Sequence, residues 1–167
     1  REVNITGLGQ ADTLSAALAT GEIDAIIAAR QPDSAKTSDD VVRLFRNYRE
    51  AERSYFEKTG IFPIMHTLVI RDVVYKKNNW IAKSLFNAFE ASKARAAELM
   101  AYTGAMVVMT PWLYDAVEEM NTVFGGDPWP YGLEANRHHL ETFNRYLVDE
   151  GFLPTAPALE DIFASIA

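Results

Sequence analysis

One short stretch concentrates the chemistry of this chain: Asp127-Pro128-Trp129-Pro130-Tyr131-Gly132-Leu133-Glu134-Ala135-Asn136-Arg137. It combines an acid, a base, an amide and two aromatic rings. Trp129 and Tyr131 can stack on a flat ligand, or they can brace a proline-held packing loop. Pro130 suits the first turn of a helix, because its missing N–H has no helical partner to lose. Asp127 then stands before that turn as a cap. After Gly132, Leu133, Leu140, Phe143 and Leu147 recur at helical spacing. Asn136 falls on the same stripe. A polar amide facing inward needs a partner, and a bound ligand is one such partner.

Other reactive side chains lie outside that stretch. Arg30 follows the apolar run Ile23-Asp24-Ala25-Ile26-Ile27-Ala28. A guanidinium there can clamp a carboxylate with two parallel hydrogen bonds, although most arginines simply stay at the surface. His66 interrupts a second apolar run, Ile64 to Ile70. It can carry a proton near neutral pH, or it can be a satisfied structural histidine. Thr67, a candidate substrate contact, points to the opposite face of a strand. One of the two therefore faces away from any ligand.

Glu134, His138, Glu141 and Arg145 follow one another at helical spacings that make favourable charge pairs. Glu141 and Arg145 read as a solvated face. Glu134, in the first turn beside Trp129 and Tyr131, is a candidate general acid or base. His138 and His139 are adjacent and so diverge, unlike the paired histidines of a helical zinc motif. A metal could be held by His66, His138 and an acid, but the sequence identifies no such ligand set. Trp80, Trp112, Tyr102 and Tyr114 read as packing residues, and Lys76-Lys77 as an exposed helix end.

These residues need elements to position them. Val3 to Ile5, Ile23 to Ala28 and Ile64 to Ile70 carry β-branched residues in short apolar runs and predict strands. Asp12 is expected to cap a helix from Thr13 to Ala19, stopped by Gly21. Pro32 to Asp40 is polar and predicts a loop. A helix is expected from Arg49 to Lys58, ending at Gly60. Further helices are expected to start at Asp72, Asn79, Pro111 and Pro130, with a last short one after Pro157. The strand–helix–strand order predicts an α/β fold, and Arg30 would then lie where ligands enter open α/β sheets. Three strands are few for a sheet, and Arg1-Glu2-Val3-Asn4-Ile5 reads like the interior of a protein. Both suggest that an amino-terminal portion belongs with this chain.

The chain has 167 residues, 49% of them hydrophobic, with net charge −7 and no cysteine. Such a chain can bury a core and does not read as disordered. The charge argues against nucleic acid as the main partner. Disulfides and thiolate metal sites are excluded. No apolar run approaches the roughly 20 residues of a membrane helix, and no targeting segment is visible.

Three motifs together carry a family resemblance. Leu18 to Arg30 resembles the end of the second lobe of type II periplasmic-binding-protein folds. Tyr55 to Ile70, with its Thr59-Gly60-Ile61-Phe62-Pro63-Ile64-Met65-His66-Thr67 core, resembles the 4,5-dihydroxyphthalate decarboxylase family, as does Asp127 to Arg137. The resemblance implies the carboxyl-terminal half of a two-lobed protein. Residues 1–63 would end the second α/β lobe, and 64–167 would form a return strand and helical tail. It also implies conversion of 4,5-dihydroxyphthalate to 3,4-dihydroxybenzoate and carbon dioxide by a cytoplasmic carboxy-lyase of aromatic degradation, with this half alone inactive. On that expectation His66 and Glu134 handle protons. Arg30, Thr67, Trp129, Tyr131 and Asn136 hold a small aromatic carboxylate. No organic cofactor is expected, and a divalent metal is allowed for. The partner expected is the amino-terminal half or a second copy. The other reading is a periplasmic solute-binding protein that captures a small organic anion for a transporter.

Overall fold

In the computed structural model, residues 3–8 and 13–166 are described. Helices α1 (Leu14–Thr20), α2 (Ser34–Thr37), α3 (Tyr48–Thr59), α4 (Asp72–Lys77), α5 (Trp80–Ala101), α6 (Leu113–Phe124), α7 (Leu133–Asp149) and α8 (Leu159–Ile162) follow in order. Among the described residues there is no strand.

This overturns the α/β fold and the periplasmic-binding-protein-like lobe expected from the sequence. Residues 3–5, 25–28 and 64–70 are neither helix nor strand. A strand exists only when its N–H and C=O groups meet a neighbouring chain segment, and none of these segments meets one among the described residues. Their side chains also lack cover, with Ile27 fully exposed and Val69 83% exposed. β-Branched composition fits a pleated surface but cannot supply the second surface.

The helices follow local rules more closely. The Thr13 side chain accepts the Ala16 N–H at 3.1 Å and caps α1, while Asp12 lies outside the described residues. Gly21 ends α1 at φ +74°, a left-handed turn that glycine adopts without a Cβ clash. The short helix α2 occupies the segment expected to be loop, tied to α1 by the Ser15 and Ser34 hydroxyls at 3.1 Å. α5 starts after Asn79, and α8 starts just beyond Pro157. α7 starts at Leu133 rather than at Pro130. Its N-cap is Gly132 at φ +93°, with Phe86 and Ile166 packed where a side chain would begin.

Two compact units emerge, Arg1–Glu52 and Arg53–Ala167. The first holds α1 and α2 around the buried Ala17. In the second, α5 packs with α4 and α6, and α7 packs with α8. Ala82, Leu113 and Leu159 are its buried apolar residues. An aromatic chain runs beside them: Phe124 lies 4.5 Å from Phe56 and 5.1 Å from Phe62, and Phe62 lies 5.5 Å from Trp129. Phe143, expected on the inner stripe of α7, is exposed, while Thr142 and Asn144 are buried. The Asn144 amide donates to the Pro157 carbonyl and so ties α7 to the start of α8.

Candidate functional site

The loop from Asp127 to Gly132 is built by hydrogen bonds rather than by a helix start. The Asp127 carboxylate accepts the Trp129 N–H at 3.0 Å, an aspartate turn closed on its own backbone. Asp127 therefore caps this turn and not α7. The Asn136 amide donates to the Pro130 carbonyl at 2.6 Å and to the Gly132 carbonyl at 2.9 Å. The partner sought for Asn136 is thus the loop itself: its inward position braces the two carbonyls on either side of Tyr131.

Sequence reading missed the residue that organises this loop. Lys93 of α5 donates to Asp127 at 2.7 Å and to the Trp129 carbonyl at 3.2 Å, and pairs with Glu90 at 3.1 Å. Its ammonium also lies 4.1 Å from the centre of the Tyr131 ring. Partial burial is the strongest single influence on its proton and opposes the charge. Hydrogen bonds to Asp127 and Glu90 together outweigh it and hold the lysine charged above its usual range. The signal was available, because Lys93 continues the helical stripe of Ala82 and Phe86. A lysine on such a stripe needs acidic or carbonyl partners.

Glu134 points elsewhere. Its side chain is 81% exposed and pairs with Arg137 at 2.7 Å. Arg137 also reaches Glu160 of α8 at 2.7 Å. The Arg137 hydrogen bond holds the Glu134 carboxyl below its usual range, which keeps it ionised and makes it a poor proton donor and a weaker base than an ordinary carboxylate. His66 and Thr67 are exposed on the irregular 60–71 segment. Among the described residues no hydrogen bond or ion pair joins His66 to Glu134. The structure therefore gathers Trp129, Tyr131 and Asn136 in one neighbourhood, and pairs Glu134 with Arg137 instead. Arg30 is exposed at a bend of the first unit, so its expected seat at a strand end is gone.

The two adjacent histidines grip the chain that leads to His66. His138 Nε2 lies 3.0 Å from the Thr59 carbonyl, and the Phe62 N–H donates to His139 Nε2 at 3.2 Å. The Gly60 turn is thereby held at both ends. Accepting from Phe62 requires an unprotonated Nε2, so the neutral ring carries its proton on Nδ1. That atom is buried without a partner. Burial, and to a lesser degree His138, hold the His139 pKa below the ordinary 6.5. The unfolded ring therefore binds its proton at higher pH than the folded ring does. Stability from His139 is complete above about pH 6.5 and is lost as pH falls through the lower folded value. The urea midpoint should drop on acidification from about pH 7 to 5.5, and His139→Gln should flatten that slope. Equal slopes in the two proteins would show that His139 stays out of the transition.

Among the described residues, no three histidine, aspartate or glutamate side chains gather as a metal site needs. His138 instead meets Thr59. No described helix is long and apolar enough to cross a membrane.

No family model matches the chain. Among curated proteins, a 4,5-dihydroxyphthalate decarboxylase of Comamonas testosteroni is 33% identical over 142 residues. The match covers 84% of this chain and 43% of that protein. Wherever it starts, a match of that extent takes in Arg30, His66, Thr67 and all of Asp127–Arg137. The chain thus spans less than half the length of the curated relative it matches, and over that span it is related to a protein named as a decarboxylase.

Proposed function

We propose that this chain belongs to a carboxy-lyase acting on a dihydroxylated aromatic dicarboxylate, with 4,5-dihydroxyphthalate as the substrate. The observation that carries this reading is the identity to the Comamonas testosteroni decarboxylase across the region of all the candidate residues. The aromatic loop is consistent with it, because Trp129 and Tyr131 stay 54% and 41% exposed beside a fixed cation.

The chemistry sets three demands. A base takes the proton of the hydroxyl para to the departing carboxylate, which pushes electron density into the ring. The ring carbon bearing that carboxylate then accepts a proton. Its bond to the carboxylate breaks, the electrons restore aromaticity, and carbon dioxide leaves. His66, exposed and titratable, is our candidate to exchange these protons. Glu134, held ionised, is at most an accessory acceptor. Trp129, Tyr131 and Thr67 would contact the ring and its substituents. Asn136 serves them by bracing the loop. The described residues offer no donor set for a divalent metal, and no step here runs through one.

Carbon dioxide release from 4,5-dihydroxyphthalate is the direct test, assayed with and without added divalent metal on this chain joined to a polypeptide matching the part of the relative it does not cover. Retention of the compound with no release would favour a solute-binding protein for small organic anions. Neither release nor retention would remove both readings.

A further inference from the structure

The Lys93 ammonium donates to Asp127 and to the Trp129 carbonyl, and the Glu90 carboxylate lies 3.1 Å away as an ion-pair partner. Two carboxylates already balance its charge. What this lysine governs is the loop: it grips the loop at Asp127 and Trp129, and its charge rests against the Tyr131 ring at 4.1 Å. Burial and ion pairing leave its side chain only 23% exposed, so the contact is little diluted by water. A cation on one side of a phenol ring draws π density toward itself. The remaining surface of Tyr131 then receives an electron-rich ring better than a free phenol would. Trp129 stands two residues away, tied to the same ammonium through its carbonyl.

We propose that Lys93 is the positioning residue of an aromatic platform, and that it sets Trp129 and Tyr131 to stack on an electron-rich anionic ring. The ligand in this inference rests on the decarboxylase reading; the control of the loop does not. Direct capture of the substrate carboxylate by Lys93 is the competing idea, and the two carboxylates already paired with its charge argue against it.

The test compares Lys93→Met, which keeps the apolar stem, with Lys93→Arg, which keeps the charge and its donors. One measurement follows the indole N–H resonance of Trp129, assigned with Trp129→Phe. The other follows KM for 4,5-dihydroxyphthalate beside the affinity for phthalate, which lacks the two hydroxyls. Lys93→Met should move the resonance and raise KM about ten-fold, as loss of one desolvated cation–π contact allows. The loss should fall on KM rather than on kcat, and it should be smaller for phthalate. Lys93→Arg should recover most of the affinity. An unmoved resonance in Lys93→Met overturns the control of the loop. Equal losses for the two ligands overturn the preference for an electron-rich ring. If the unaltered protein binds neither compound while the resonance still moves, the decarboxylase reading falls together with the ligand, and the loop assignment alone survives.

Discussion

Replacing His66 with glutamine should lower turnover by about 10²–10⁴-fold while ligand affinity survives, the usual cost of losing a general acid–base group. Glutamine keeps a polar group of similar reach but cannot carry the proton from hydroxyl to ring carbon. The exposure of His66 makes the experiment clean. A side chain in water contributes little to folding, so the variant should unfold at nearly the same urea concentration. A second control lies close by: His138 and His139 hold the Thr59–Phe62 turn without His66, so the substitution leaves that brace intact. If affinity and stability fall together, His66 is a structural residue and the proton work belongs elsewhere. Undiminished turnover also removes it.

Parts of this architecture were legible in the sequence for physical reasons. Glycines at positive φ stop α1 and α3 where expected, since Gly21 and Gly60 supply a conformation other residues resist. The helical stripe after Gly132 marked α7, and Asn79 marked the start of α5. Capping was harder to read. Pro130 and Asp127 carry the signature of a helix start, yet Asp127 closes a turn and Gly132 begins the helix. The strands failed for a different reason. Ile23 to Ala28 and Ile64 to Ile70 have the composition of strands, but pairing depends on a second segment that composition cannot reveal. Within the site, Asn136 was noticed because it breaks an apolar stripe. Its partners proved to be carbonyls four and six residues back. Lys93 breaks the stripe of α5 in the same way, and its partners lie 34 and 36 residues along the chain, beyond any local pattern.

Sedimented by itself at micromolar concentration, this chain should travel as an associated species. A compact protein of 18.7 kDa exposes roughly 8,300 Å². Two separate compact units sharing that mass would expose roughly 10,000 Å². The chain exposes 13874 Å². The surplus of several thousand Å² exceeds the roughly 1,600 Å² that a standard stable interface buries. Much of it is apolar: Leu44, Met109 and Trp112 stand largely in water, where soluble monomers rarely keep such surface. The irregular segments at 25–28 and 64–70 add backbone groups that a neighbouring chain could pair. Two occupants fit. One is further polypeptide of the kind the longer relative possesses, and the other is a second copy of this chain. Mixing the chain with a polypeptide matching the part of the relative that it does not cover separates them, because a one-to-one complex would displace the self-associated form. A stable monomer that binds little apolar dye would refute the expectation of association.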